Sequence, residues 1–363
     1  MLRAGLIGFP SSGKTALFQL LTSARDAPRP GGKQEANVGV SRVPDDRLDK
    51  LTALFNPKKH VPATVEFADM GGASSGKGGG AAALLDVAAF RSADALLHVV
   101  RMFRDPSVPH ASGSIDPARD VRTMEDELIL ADLGVVERRL ERLERDLKKQ
   151  PNPELKKEQE ILQMCRTALE AGQPLRDLTM PPEDLRRLRG FQFLSSKPLL
   201  IVLNLDEADL PQADKAVELA GIQSFLTGPN TRAVPICAKI ELEIAQLDPA
   251  DAAAFMADLG LKESGLDRVI RASYDLLGYI SFFTVGEDEN RAWSIPRGTN
   301  AQNAAGEIHS DIQRGFIRAE VCRYEHLLAR GTLAALRDHA ELRLEGKEYI
   351  VLDGDVINFR HAT

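Results

Sequence analysis

Five short runs of almost unbroken apolar character mark the first two-thirds of the chain, at residues 2–7, 64–70, 95–101, 198–204 and 233–238. Runs rich in Val, Ile and Leu and this short predict strands buried on both faces, as in a parallel sheet. Helical patterns alternate with them, so the pattern predicts a doubly wound α/β domain. Ligands of such sheets lie beyond the carboxyl ends of the strands. The most polar motifs fall there: from Gly8 onward, at Asp69, and from Asn204 onward.

Between the third and fourth runs the period changes. Ile129, Leu133, Val136, Leu140, Leu143 and Leu147 recur at alternating spacings of four and three, a heptad seam, with Glu and Arg filling the remainder. Pro151-Asn152-Pro153 breaks the helix, and Leu155, Leu162, Cys165 and Leu169 form the face of a second one. The pair predicts an antiparallel coiled-coil hairpin inserted into the α/β domain. Beyond about residue 277 the pattern predicts strands at 279–285 and 292–295, a helix at 304–316 and a strand at 318–324. A closing hairpin is expected around Asp353-Gly354. That order suggests a small α+β domain. The expected division is residues 1–118 plus 196–277 for the sheet domain, 119–195 for the hairpin and 278–363 for the last domain.

A length of 363 residues allows two or three domains, and 43% hydrophobic with 27% charged residues suits a soluble globular protein. No apolar stretch approaches the roughly 20 residues that span a bilayer. The chain opens on a strand with no leader-like pattern, so a cytoplasmic protein without membrane partners is expected. Cys165, Cys237 and Cys322 are scattered and odd in number, which fits a reducing compartment and offers no metal-ligand spacing. The net charge of −7 argues against general nucleic-acid affinity but leaves room for a local basic face.

The chemistry is concentrated in residues 8–15, Gly-Phe-Pro-Ser-Ser-Gly-Lys-Thr, which match G-x-x-x-x-G-K-[ST] between a strand and a helix. There the backbone from Pro10 through Ser11, Ser12 and Gly13 to Ala16 would cradle phosphates. Lys14 would reach the β- and γ-phosphates, and the Thr15 hydroxyl would bind Mg²⁺. Asp69 and Gly72 form Asp-x-x-Gly at a strand end, suited to Mg²⁺ through water and to the γ-phosphate. Ala73 follows, where Ras-like enzymes place a water-orienting glutamine. Asn204-Leu205-Asp206-Glu207 stands where GTPases carry Asn-Lys-x-Asp. Its longer carboxylate and missing Lys weaken guanine recognition, which favours ATP while leaving GTP open. Cys237-Ala238-Lys239 is placed like the last base-contacting loop of GTPases.

Together these motifs resemble the YchF family, the Obg-like ATPases of the translation-factor GTPase class. The likeness also runs through Pro44-Asp45-Asp46-Arg47-Leu48, His98-Val99-Val100-Arg101-Met102-Phe103, residues 265–272, residues 291–296 and Asp353-Gly354-Asp355-Val356. It implies a P-loop G domain, an inserted helical hairpin and a C-terminal TGS domain of β-grasp form. It further implies ATP hydrolysis and association with ribosomes, through rRNA or ribosomal protein, with the oligomeric state left open. The resemblance also puts His110 on a mobile loop as the catalytic substitute for the missing glutamine, where neutral imidazole can orient water. Three positions depart from the family. Ser11 replaces an Asn that can help hold a monovalent cation, residues 26–40 lack a switch Thr (Lys33 lies nearby), and residues 71–80 are Gly-rich. A slow Mg²⁺-dependent ATPase switch is therefore the leading expectation. The alternatives are a nucleotide-gated ribosome- or RNA-binding module with vestigial hydrolysis, and a strict GTPase.

Overall fold

The computed structural model describes residues 2–23, 37–69 and 90–362. The chain divides into two compact units, one formed by residues 2–40 and 66–276, the other by 41–65 and 277–363.

The larger unit is built on a six-stranded sheet of β1 (Arg3–Ile7), β2 (Asn37–Arg42), β4 (Thr64–Asp69), β5 (Ala95–Arg101), β6 (Leu199–Asn204) and β7 (Thr231–Ile236). Its order is β2-β4-β1-β5-β6-β7, and β4, β1, β5, β6 and β7 run parallel to their neighbours. Every position of β5 and β6 is buried, which is why these strands show no polar alternation. The apolar runs thus locate five of the six strands. β2 escaped because Asn37, Gly39, Ser41 and Arg42 interrupt its apolar pattern, Gly39 lying where a Cβ would fall 1.9 Å from Thr22 Cγ2. Helix α1 (Lys14–Ser23) packs against α4 (Ala238–Ile244) and α5 (Gly265–Leu276).

On the other face lies α2 (Pro117–Lys149), a continuous helix of 33 residues. Asp116 caps it by accepting the Arg119 N–H at 3.0 Å, and Pro117 opens its first turn. Val121, Met124 and Leu128 pack on the sheet with Ile7, Val100 and Ile201. Further along, Ile129, Val136, Leu140 and Leu143 pack against Ile161, Leu162, Cys165 and Leu169 of α3 (Pro153–Glu170). The expected hairpin is therefore present, closed on its surface by Arg139 and Glu158 at 2.7 Å. The boundary expected at 118/119, however, falls inside one helix, because the sheet-facing and hairpin-facing stripes follow each other without a break. Two buried ties pin α2 to the unit. The Arg176 guanidinium holds Glu125, and the Asp132 carboxylate accepts the N–H groups of Leu194 at 3.0 Å and Ser195 at 2.7 Å.

The smaller unit holds a mixed sheet of β3 (Lys59–Val61), β8 (Tyr279–Thr284), β9 (Glu289–Pro296), β10 (Phe316–Arg323), β11 (Arg343–Glu345) and β12 (Asp355–His361), ordered β11-β10-β12-β8-β9-β3. Helix Ala301–Ile308 lays Ala301, Ala304 and Ala305 against Phe282, Val321 and Phe359. The hairpin expected at Asp353-Gly354 does not form. β12 instead runs antiparallel along β10, while residue 350 makes only an isolated bridge to Asn300. The Asp355 carboxylate accepts the Leu352 N–H at 2.9 Å and the Tyr349 hydroxyl at 2.8 Å, turning the chain away from a return strand. Residues 41–65 also belong here, although the pattern assigned them to the sheet domain. β3 pairs with β9, and Arg47 bridges Asp45 and Asp353 while lying over the Phe283 ring. Burial works against the Arg47 charge, yet the two carboxylates hold its pKa above the usual value.

Candidate nucleoside-triphosphate site

The phosphate loop leaves β1 in a conformation that only certain residues can adopt. Gly8 has φ +147°, and a Cβ there would meet the Val99 carbonyl at 2.5 Å. Gly13 has φ +97°, and a Cβ there would fall 2.2 Å from Asn204 Nδ2. Pro10 and Ser11 are exposed and Ser12 is buried, with Ser11 at φ +63°. Helix α1 starts at Lys14 and has no acidic residue in its first turn, so its positive end is uncompensated by side chains of that turn. Thr15 is exposed on that turn and Ala16 half-buried. The Lys14 ammonium donates to the carbonyls of Gly8 at 2.7 Å and Phe9 at 2.8 Å. Burial lowers its pKa, and the negative charge of Asp69, at the end of β4, opposes that shift.

The end of β6 is tied directly to this loop. The Asn204 carboxamide donates to the Ser12 carbonyl at 3.1 Å and accepts the Ala238 N–H at 3.1 Å. One side chain thus links the phosphate loop to the start of α4. Lys239 reaches Glu207 at 3.0 Å across a solvent-exposed gap. Leu205 does not replace the stem of the GTPase lysine on a surface. It is 3% exposed and packs with Leu203, Ala216 and Ile222 in the core. Cys237 is likewise buried beside Leu210 and Ile240, and burial raises its thiol pKa. Gly72, Ala73 and Lys33 lie outside the described residues.

The loop carrying His110 runs from β5 to α2. At its root the buried Arg101 donates to the carbonyls of Phe103 at 3.1 Å and Asp105 at 3.3 Å, with its guanidinium 4.4 Å from the Phe103 ring centroid. Asp206 accepts the Arg104 N–H at 3.0 Å, joining this root to the residues after β6. His110 is not the exposed loop histidine that its polar surroundings suggest. Its side chain is 4% exposed, and Nε2 lies 2.9 Å from Asp120 Oδ2. The Ser112 N–H donates to Nδ1 at 3.1 Å, so Nδ1 carries no proton and Nε2–H donates to Asp120. Arg119 forks onto Asp120 Oδ1 and also holds the Ser114 carbonyl at 2.7 Å.

Comparison with known proteins matches the chain along nearly its whole length. The chain is 44% identical over 365 residues to the protein named Ribosome-binding ATPase YchF of Bacillus subtilis (strain 168), covering 99% of each. The chain belongs to the YchF family. The Escherichia coli O157:H7 protein of the same name is 38% identical over 366 residues, with 98% of each chain covered. Residues 279–362 match the family described as YchF-GTPase_C, Protein of unknown function (DUF933). The solved YchF GTPase of Schizosaccharomyces pombe superposes with a TM-score of 0.84 at 29% identity, covering 99% of this chain and 97% of that one. The YchF likeness expected from the motifs therefore holds, and the fold is that of a P-loop G domain with a further C-terminal domain.

Within this YchF chain, sequence reasoning missed the residues that hold the site together. Ser112, Arg119 and Asp120 carry no motif. Only the Asp116-Pro117 helix start hinted that Asp120 belongs to a first turn. His98 lies within the stretch 98–103 that carries the family likeness, and the sequence assigns it no role. It is fully buried in register with Ile7 and Ile201, and neither ring nitrogen has a hydrogen-bond partner among the described residues. Burial, and then the positive charge of Lys14, push its pKa down to about 3, so it is neutral. Among the described residues no three His, Cys, Asp or Glu side chains cluster as a metal cage. The Thr15 hydroxyl and the Asp69 carboxylate are oxygen donors of the type that would suit a Mg²⁺ ion sharing its shell with phosphate and water.

Proposed function

We propose that this chain hydrolyses nucleoside triphosphates at the phosphate loop, favours ATP, and acts in the cytoplasm as a slow switch on the ribosome. In this reading the backbone of residues 10–16 holds the phosphates, and Lys14 neutralises charge developing on the transferred phosphoryl group. Thr15 and Asp69 would hold Mg²⁺, which supplies charge neutralisation when bound. Asn204, Glu207 and the residues Cys237 to Lys239 shape the base end, and Leu205 backs it from the core. His110 orients the attacking water. The observation that carries the reading is the Asn204 tie, which joins the phosphate loop to the start of α4, the base end in this reading. The relatives named ribosome-binding ATPases support both the substrate and the partner.

Calorimetry with ATP and with GTP in Mg²⁺ tests the base preference. ATP is expected to bind more tightly, and tight GTP binding without detectable ATP binding overturns the preference. Co-sedimentation with ribosomes tests the partner. A second reading, a nucleotide-gated ribosome-binding module without turnover, is favoured by one observation: His110 is engaged by Asp120. Single-turnover hydrolysis with ribosomes separates the two, because a vestigial site stays silent. A strict GTPase rests on Cys237-Ala238-Lys239 alone, and the same calorimetry decides it.

A further inference from the structure

We propose that Asp120 is a positioning residue that holds His110 in a docked, unreactive state, and that turnover requires this bond to break. The proposal rests on the reading of His110 as the water-orienting group. Both ring nitrogens are occupied within the protein: Nδ1 accepts from Ser112, and Nε2–H donates to Asp120. A neutral imidazole so engaged has neither a free lone pair to accept a water proton nor a free N–H to orient water. The bond is buried at both ends, with side-chain exposures of 4% and 3%, so water does not compete for it.

The carboxylate itself is fixed. Asp120 sits in the first turn of α2 and is held from the other side by the Arg119 fork. Arg119 also grips Ser114 through both its carbonyl and its hydroxyl, at 2.7 and 2.9 Å, so the end of the loop is clamped to the same turn. At the opposite end Arg101 holds residues 103 and 105. The loop is thus a strap fastened at both ends, with His110 near its far fastening. Opening the far end frees the imidazole while the Arg101 root keeps the strap attached to β5.

If the docked state dominates, basal turnover is reduced by the fraction of molecules in which His110 is released. Asp120→Ala is expected to raise kcat for ATP about tenfold, the lower end of what a bond to a charged group contributes, with KM little changed. Asp120→Asn keeps an acceptor for Nε2–H but loses the charge, so a smaller rise is expected. Asp120→Ala combined with His110→Ala should show no rise over His110→Ala alone. In the full-length protein labelled with ¹⁵N-histidine, the wild-type His110 signals should show an unprotonated Nδ1 and a protonated Nε2. In Asp120→Ala they should average between tautomers. A merely structural Asp120 would lower stability and turnover together. If His110→Ala reduces turnover but neither Asp120 variant raises it, the docking proposal is overturned and the catalytic reading stands. If His110→Ala turns over like the wild type, the catalytic reading fails and the proposal fails with it.

Discussion

Two loops leave neighbouring parallel strands at the same edge of the sheet, and they are held by different means. The loop after β1 is shaped first by its backbone, because Gly8 and Gly13 occupy conformations a side chain would obstruct, and the Lys14 and Asn204 side chains add bonds to its carbonyls. The loop after β5 is fixed by side chains: Arg101, Asp120 and Arg119 grip it at its ends, and at Gly113 a Cβ would meet nothing within 4 Å. Backbone constraint produces a cradle present before any ligand arrives. Side-chain bonds can be exchanged for others, so the second loop is built to have two states. In the proposed site, the part read as binding phosphate is preshaped by glycines and the part read as chemical is held by bonds that can be exchanged.

Glycine replacements break the comparison most strongly. Gly13→Ala should cost about 3 kcal/mol or more, from strain and from the clash with Asn204, and should abolish ATP binding. Gly113→Ala, also at positive φ (+79°) but in open space, should cost only about 1 kcal/mol and leave ATP affinity unchanged. Chemical denaturation and calorimetry measure both, and equal effects would remove the distinction between the loops. Lys14→Ala should weaken ATP binding by about 100-fold through lost charge-assisted bonds. The melting temperature should fall by much less than with Gly13→Ala, because the lost bonds to the Gly8 and Phe9 carbonyls are offset in part by removing a charge that burial disfavours.

Two smaller effects concern specificity and fine fit. Glu207→Asp shortens the carboxylate facing Lys239 and should shift the ATP-to-GTP affinity ratio towards GTP by about tenfold. The exposed pair contributes little stability, so melting should stay constant. Ser11→Asn places a residue that tolerates positive φ better at φ +63° and should stabilise the protein by about 0.5 kcal/mol. If denaturation midpoints show a loss instead, the left-handed conformation at Ser11 is not a source of strain that Asn relieves.

The legible parts of the sequence were those that repeat or form a contiguous motif. Apolar runs located five strands, the four-three spacing found the hairpin seam, and residues 8–15 announced the phosphate loop. Periodicity reports which face is buried and not what covers it. It could not show that residues 59–61 join β9, or that β12 would pass between β10 and β8. The Arg47–Asp353 contact joins two quoted motifs 306 residues apart, and neither motif names the other. Leu205 stands at the position of the GTPase lysine, and that alignment does not tell that its apolar side chain packs in the core. The His110–Asp120 bond escaped for a simpler reason: a polar loop ahead of a capped helix reads as solvent-exposed until a carboxylate is seen to bury the ring.

The helix Pro117–Lys149 gives the docked histidine a mechanical dimension. It is pinned at Glu125 and Asp132, between its two unequal ends. Those two ties, with Val121, Met124 and Leu128 packed on the sheet beside them, anchor the segment that carries Asp120. Beyond Asp132 the same helix projects about 26 Å, at a rise of about 1.5 Å per residue, to the exposed hairpin turn. Whatever docks on that turn therefore touches a spoke whose root holds a single imidazole.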